Sequence, residues 1–264
     1  MAKEVMPILN ESELDWLCDN VPDAPRSPKG GRPPADKRLM LQAIFWVLDN
    51  GAKWKDLPGK LGSKSTAHRW FRTWAQAGVF EELMNVAGLC IEEKGGFKLY
   101  ECFIDGTFSK AKGGGDGIGA TKVGKGVKLM IMVDAKGLPV AACTSAAGPH
   151  ESRSVQELFD FMITTQKPER LIGDKAYDSD ALDEAMAAME VEMIAPHRRN
   201  RRAENVTQDA RPLRRYHRRW KVERTIAWLQ HFRRLCIRWE KSSLLFQGFV
   251  HFACTMLLLR EVLG

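Results

Sequence analysis

The residues of this sequence that could perform chemistry are three carboxylates far apart in the chain. Asp105, in the segment Phe103–Thr107, is predicted to lie at the end of the first strand. Asp174 comes just after a second apolar segment, Leu171–Gly173, which is predicted to be a short strand. In α/β proteins, functional side chains gather beyond the ends of strands, where they point into a crevice. Each aspartate alone is more often a turn residue beside glycine, so neither indicates a site by itself.

The third carboxylate, Glu223, lies in the stretch Arg214–Glu240, which the pattern predicts to be helical. At 3.6 residues per turn, the side chains of Tyr216, Arg219 and Gln230 fall on the same face as Glu223. Considered alone, this pattern is more typical of an amphipathic helix with a surface ion pair between Arg219 and Glu223.

The three acids together predict a metal site. Like charges brought close together repel strongly unless a cation compensates them. Carboxylate oxygens without histidine or thiolate partners suit Mg²⁺ or Mn²⁺. Two such ions would activate a water or a 3′-hydroxyl on one side and stabilise a leaving oxygen on the other. Asp134, in an Asp-Ala-Lys-Gly setting, is predicted to be a hairpin residue without chemistry.

Charge is strongly segregated along the chain. Pro196–Arg224 holds eleven Lys and Arg against three acids, a local +8 in a chain whose formal net charge is +7. A basic stretch of this size favours binding to a phosphate backbone over an ordinary solvated face. Arg198 and Arg201 in this stretch are therefore candidate DNA contacts.

The N-terminal third is predicted to be helical. A short helix Glu11–Asn20, a basic linker Pro22–Pro34 and a helix Leu39–Asn50 capped by Asp36 are followed by a short helix Trp54–Leu61. After a turn at Gly62, a further helix runs through Ala77, which gives the helix-turn-helix order. A plain three-helix packing module fits this segment equally well. On the last helix, one set of polar side chains is expected to be exposed for contact with DNA: Lys64, His68, Arg69 and Arg72.

The remainder is predicted to be an α/β domain. A helix Val79–Lys94 leads to three strands in an antiparallel meander, and helices then alternate with short strands before the final helices. A glycine-rich basic loop, Lys110–Gly126, separates the first two strands, and Lys122 and Lys125 could grip DNA there or be merely solvated. We predict an all-α domain at residues 1–94 and a mixed-sheet α/β domain at residues 95–264.

Composition limits the compartment. Six cysteines show no metal-ligand spacing, so reduced thiols and a reducing compartment are expected. No signal peptide is visible at the N-terminus. The apolar stretch Leu244–Leu263 is interrupted by polar residues and is expected to be a core helix rather than a membrane span.

These motifs together resemble the DDE transposases of bacterial insertion sequences, of the insertion-sequence-five group, whose catalytic core is ribonuclease-H-like. The resemblance covers nearly the whole chain. Asp105 and Asp174 match the first two family acids, and Glu223 matches the third within a Tyr-x2-Arg-x3-Glu-x6-Lys signature that includes Tyr216 and Arg219. Gln230 stands where that signature has lysine.

The resemblance implies catalysis and metal binding by Asp105, Asp174 and Glu223, with Mg²⁺ or Mn²⁺ as the cofactor. It also implies phosphate contacts by Lys175, Tyr177 and Arg219. Arg234, eleven residues beyond Glu223, is expected to replace the cation missing at position 230.

The implied function is a metal-dependent DNA transposase. Its expected partners are the double-stranded terminal inverted repeats of its element and target DNA, bound by a homodimer in the bacterial cytoplasm, associated with the nucleoid and not with a membrane. Two alternatives stay open from the sequence. One is a non-catalytic regulator that uses only the helix-turn-helix module, and the other is a nuclease of the same fold without strand transfer.

Overall fold

A computed structural model of the protein describes residues 9–23, 34–122, 124–147, 151–199, 201 and 210–264, and for 151–154, 210 and 211 it describes the backbone only. Most of the predicted linker Pro22–Pro34 and part of the basic stretch Pro196–Arg224 therefore lie outside the described residues.

Four helices form the N-terminal third: α1 Glu11–Asn20, α2 Lys37–Asn50, α3 Lys64–Gln76 and α4 Val79–Glu93. Local chemistry explains their ends. Asn10 forms a capping box with Glu13, Asp36 accepts a hydrogen bond from the backbone of Arg38, and α2 ends at Gly51 with φ 64°. The predicted helix Trp54–Leu61 is instead two short 3-10 turns, Trp54–Asp56 and Gly59–Leu61, on either side of Pro58.

The rest of the described chain is mixed α/β, and its elements follow in this order: β1 Cys102–Ala111, β2 Gly119–Thr121, β3 Gly124–Val133, β4 Pro139–Ala146, α5 Glu151–Phe159, β5 Arg170–Ile172, α6 Asp180–Ala188, β6 Glu192–Ile194, α7 Ala210–Leu213, α8 Trp220–His231, α9 Arg233–Cys236, β7 Ile237–Arg238 and α10 Ser243–Val262. Two further 3-10 segments, Lys175–Tyr177 and Arg214–Arg219, precede α6 and α8.

Seven strands of the described chain form one mixed sheet. β3 lies antiparallel between β1 and β4, as the predicted meander requires. On the other edge of β1, the start of β1 pairs in parallel with β5, and the end of β1 pairs in parallel with β7. β6 extends the sheet beyond β5. Part of the predicted glycine-rich loop Lys110–Gly126 belongs to the sheet. β1 continues to Ala111, and β2, inside the predicted loop, pairs with the start of β3.

Side chains alternate across the sheet and so divide the core in two. Cys102 and Ile104 of β1 pack with residues of α5 and α6, whereas Phe103 packs with α8 and α10 on the opposite face. Asp105 and Thr107 have the same parity as Phe103. They therefore lie on the face of β1 that α8 covers.

Helix α10 joins the N-terminal helices to the sheet. On one side, a Cβ at Gly248 would lie 3.2 Å from side-chain atoms of Ala75 and Phe80. On the other, Gln247 donates a hydrogen bond to the carbonyl of Ala142 on β4. α10 is long and apolar enough by composition to cross a membrane, but 72% of its most apolar window is buried within the protein. It is a core helix, as the sequence indicates.

The two predicted domains share one hydrophobic core, which runs from Leu9 through α10. Their division between residues 94 and 95 stays a prediction. All six cysteines are free, in agreement with the expectation of reduced thiols.

Candidate active site

Two of the three predicted acids lie beside each other at the sheet. Asp105 is within β1 and not at its end as predicted, because β1 continues to Ala111, and Asp174 lies just beyond β5 as predicted. In the parallel pair of β1 and β5, Phe103 is opposite Ile172. Asp105 lies two residues after Phe103, and Asp174 lies two residues after Ile172. The sheet therefore brings the two aspartates together at the C-terminal end of β5. Electrostatics agree with this, since Asp174 contributes to raising the pKa of Asp105.

Arg219 joins the first acid to the third. Its Nη1 lies 2.8 Å from Asp105 Oδ2, and its Nη2 lies 2.6 Å from Glu223 Oε1. The side chains of Asp105 and Arg219 are 18% and 16% exposed, whereas that of Glu223 is 55% exposed and faces open solvent. Residues 114 positions apart in sequence therefore meet around one guanidinium group.

The environment of Asp105 disfavours an uncompensated charge. Burial raises the pKa of Asp105 above its usual value of 3.8, although the charge of Arg219 and the backbone N–H of Gly106 oppose this shift. Burial likewise works against the charged form of Arg219, but the two carboxylates outweigh it, and the pKa of Arg219 is raised. A cation close to Asp105 is thus part of the stable arrangement.

Asp174 begins the 3-10 turn Lys175–Tyr177 and accepts a hydrogen bond of 2.7 Å from the backbone N–H of Ala176. A dense ionic network around Asp178 holds the chain that follows. Asp178 interacts with His197 at 2.9 Å and with Arg201, and the guanidinium of Arg198 donates to the carbonyls of Lys175 and Ala176. Burial tends to raise the pKa of Asp178, but these partners lower it overall. Arg198 and Arg201, predicted to contact DNA, brace the Asp174 turn.

Gln230 also reaches the site. Its Nε2 donates a hydrogen bond of 2.9 Å to Thr107 Oγ1, two residues beyond Asp105 on the same face of β1. Tyr216 lies beside the site, with its ring centroid 5.7 Å from the guanidinium carbon of Arg219. The predicted common face of Tyr216, Arg219, Glu223 and Gln230 is therefore oriented towards Asp105, even though the segment before Trp220 is a 3-10 helix.

The expectation for Arg234 is wrong in its geometry. α8 ends at His231 because Phe232 adopts an extended ψ of 90°, so the helix face does not continue to position 234. Arg234 is 2% exposed and donates to Glu240 Oε1 through Nε at 2.9 Å and to the carbonyl of Ala52 at 2.6 Å. It is a buried structural cation and does not face the acids.

Two other predicted DNA contacts are less accessible than expected. Tyr177 is completely buried and packs on Gly173, so its side chain does not reach an open surface. His68 is half-buried, with its ring centroid 5.0 Å from that of Trp54. Burial lowers the pKa of His68, and the charge of Arg72 lowers it further, which disfavours a positive charge on this side chain.

The remaining predicted contacts are exposed, as the sequence indicates: Lys64, Arg69, Arg72, Lys122, Lys125 and Lys175. Asp134 is the structural residue that the sequence predicts. It is buried and accepts hydrogen bonds from the backbone N–H groups of Lys98, Lys136 and Leu138.

Sequence reasoning missed Glu101. This carboxylate is fully buried just before β1, and three cations converge on it from the segment that precedes and begins α8: Arg218 at 2.8 Å, Arg215 at 3.5 Å and Lys221 at 4.0 Å. It fixes that segment against β1, four residues from Asp105. One acidic residue beside an apolar strand gives no local signal of such a role.

Comparison with known proteins identifies the family of the part of the chain that contains the three acids. Residues 97–258, more than half of the chain, match the family model "Transposase DDE domain". The chain belongs to the DDE transposase family. Residues 9–84 match a second model, "Putative transposase of IS4/5 family".

Two curated relatives of the chain are described as putative transposases of bacterial insertion sequence elements. The chain is 31% identical over 140 residues to the "Putative transposase for insertion sequence element IS402" of Burkholderia cepacia, over 50% of the chain and 62% of that relative's length. It is 32% identical over 134 residues to the "Putative transposase for insertion sequence element IS6501" of Brucella ovis, over 50% of the chain and 98% of the relative. The chain thus spans less than two thirds of the first relative.

A solved structure agrees with the fold. The structure titled "Cryo-EM structure of piggyBac transposase synaptic complex with hairpin DNA" aligns with a TM-score of 0.51 at 13% identity, over 94% of this chain and 71% of that one. The expected mixed α/β, ribonuclease-H-like fold is confirmed.

Divalent metal dependence follows in general from the family. In the described residues, no group of three or more histidine, cysteine, aspartate or glutamate side chains is arranged to hold a metal ion. The guanidinium of Arg219 lies between two of the acids, Asp105 and Glu223. The donors fit a divalent ion chemically: they are hard carboxylate oxygens, and the space between Asp105 and Glu223 already accommodates a cationic group.

Proposed function

We propose that this protein is the transposase of a bacterial insertion sequence, which cleaves double-stranded DNA at terminal inverted repeats and joins the 3′ ends to target DNA. The observation that supports this best is the single guanidinium of Arg219 bridging Asp105 and Glu223. Together with Asp174, just beyond the neighbouring strand, these are the residues that match the family's three acids. We further propose that it acts as a homodimer on DNA in the bacterial cytoplasm, at the nucleoid.

In this proposal, Asp105, Asp174 and Glu223 hold two Mg²⁺ or Mn²⁺ ions. When bound, such ions lower the pKa of a nucleophilic water or hydroxyl and stabilise charge on the leaving oxygen. Asp105 is held on the sheet and Asp174 on a braced turn, whereas the side chain of Glu223 is 55% exposed. The two aspartates would therefore form the fixed part of the site, and Glu223 would complete it.

The neighbouring side chains would orient the DNA. Once the carboxylates have another cation, Arg219 can offer its planar donors to a phosphate in a bidentate contact. Lys175, exposed beside Asp174, supplies a further charge at the same edge. Gln230 can donate a neutral hydrogen bond next to Thr107, and Tyr216 supports Arg219 through its ring.

Recognition of the element ends is proposed for the N-terminal helices. The exposed face of α3 carries Lys64, Arg69 and Arg72, which are suited to the major groove and its flanking phosphates. Lys122 and Lys125, at the tip between β2 and β3, would contact the backbone.

The test is cleavage and strand transfer with a duplex made from the element's terminal repeat. Asp105→Asn, Asp174→Asn and Glu223→Gln should each abolish Mg²⁺-dependent cleavage while binding of the duplex persists. Asp160→Asn, at an exposed aspartate outside the site, is the matched control and should retain full activity. Full cleavage by any of the three variants would remove that residue from the site. Cleavage without strand transfer would identify a nuclease instead.

A further inference from the structure

A tryptophan with two lysines lies where the N-terminal helices meet the sheet. The Nζ atoms of Lys53 and Lys112 each lie 4.9 Å from the centroid of the Trp239 ring. Lys53 follows α2, Lys112 follows β1, and Trp239 follows β7. Three separate segments thus place two ammonium groups on one aromatic side chain, and we call these residues the seam cluster.

The backbone beneath the seam cluster is firmly fixed. The N–H of Lys112 donates to the carbonyl of Arg238 at 3.0 Å. On the helical side, buried Arg234 bonds the carbonyl of Ala52, the residue before Lys53. Both lysines therefore project from anchored backbone. Their ammonium groups, sharing one ring, lie within about 10 Å of each other.

Two acids near Trp239 and Lys112 are paired with arginines. Glu240 is paired with Arg234 at 2.5 Å, and Asp116 with Arg238 at 3.0 Å. Among the described residues, neither Lys53 nor Lys112 has a carboxylate within ion-pair distance, and both side chains are exposed. The seam cluster therefore presents two exposed ammonium groups that form no ion pair with a described carboxylate.

Its position lies between the two ends of the proposed DNA path. On one side, Trp54 packs against His68 and Phe71 of α3, so Lys53 adjoins the proposed recognition helix. On the other, Lys112 is seven residues beyond Asp105, which at about 3.3 Å per residue corresponds to roughly 20 Å along β1 and its continuation. The seam cluster thus adjoins both the proposed recognition helix and the strand that carries Asp105.

We propose that the seam cluster is a phosphate-backbone site for duplex DNA, which holds the segment between the recognised sequence and the cleaved bond. The ligand is a sequence-independent polyanion. Lysine ammonium groups supply the charge, and the tryptophan face restrains both by cation–π attraction. The identity of the duplex as an element end rests on the proposed function, whereas the phosphate site itself does not.

The experiment measures equilibrium binding as a function of salt for Lys53→Gln, Lys112→Gln and the double variant. The probes are a terminal-repeat duplex and a random duplex of equal length. Each lost phosphate contact reduces the slope of log K against log salt by about 0.9 and the affinity at 0.1 M salt by about eightfold. The double variant should lose about twice that slope, equally on both duplexes.

Lys167→Gln is the matched control, because it removes one exposed lysine charge in the loop before β5, at the opposite end of that strand from Asp174. Its slope should equal that of the unaltered protein. Trp239→Leu should weaken binding on both duplexes, and Trp239→Phe, which keeps a ring, should weaken it less. Melting curves establish that all variants are folded.

Slopes for Lys53→Gln and Lys112→Gln that match Lys167→Gln would overturn the proposal, as would a loss confined to random DNA. Failure of the proposed function has a different signature. In that case the unaltered protein would show neither preference for the terminal repeat nor metal-dependent cleavage, while the two slopes still fell.

Discussion

Replacing Arg234 by alanine distinguishes a buried structural cation from a phosphate ligand. Arg234 and Glu240 are 3% and 4% exposed at the side chain, and alanine would leave Glu240 buried without its partner. Removing one member of a buried ion pair costs about 3–5 kcal/mol of the free energy of unfolding. For a chain of this size, that lowers the melting temperature by on the order of 10 °C.

Urea unfolding followed by circular dichroism measures this loss directly. Arg233→Ala, at the exposed neighbouring position, is the matched control and should stay within about 0.5 kcal/mol of the unaltered protein. The double variant Arg234→Met with Glu240→Leu should recover most of the lost stability, because an apolar pair of similar volume removes both buried charges. The reasoning is refuted if Arg234→Ala unfolds like the unaltered protein yet binds the terminal repeat much more weakly.

Four further outcomes follow from the structure. Arg69→Ala and Arg72→Ala should each reduce discrimination between the terminal repeat and random DNA by about 1–3 kcal/mol if they read base edges, and equal losses on both duplexes would make them phosphate contacts. Gln230→Lys should retain or increase single-turnover cleavage, because lysine adds a charge beside the acids, and an inactive variant would contradict this. Glu101→Gln should lower the melting temperature more than Glu223→Gln does, because only Glu101 is fully buried among cations. Burial lowers the pKa of His251 from 6.5 to about 4, so the unfolded chain binds the proton first as pH falls. The free energy of unfolding is therefore unaffected by His251 above about pH 6.5, and it should fall by about 2 kcal/mol at pH 5. Urea unfolding at the two pH values measures this loss, which should be absent in His251→Gln.

Local chemistry made much of the helical region predictable. Asp36 and Gly51 mark the two ends of α2, and the alternation of β3 and β4 marks the meander. The two aspartates were predictable because each comes directly after buried apolar residues, although Asp105 lies within β1 and only Asp174 follows its strand. Their register was not, since the parallel pairing of β1 with β5 depends on contacts between segments about 70 residues apart.

The end of α8 was not predictable, since no glycine or proline accompanies it. Phe232 leaves the helical conformation, and its buried ring packs edge-on against Phe45 at 6.3 Å. Tertiary packing of one aromatic residue thus overrides a continuing helical pattern. Arg234 is consequently turned into the interior. Tyr177 was misjudged for a related reason, because its proximity to Asp174 in sequence does not reveal the space above Gly173 that its ring fills.

The central place of α10 has a consequence for biosynthesis. This helix covers both α4 and β4, yet the ribosome makes it after every other described element. At about 5–20 residues per second, roughly 10–30 s separate the completion of α4 from that of α10. During this interval the N-terminal helices and the sheet both lack the surface against which they pack. A fragment that stops before Ser243 should therefore leave both the N-terminal helices and the sheet without this packing surface, and we expect neither to assemble fully.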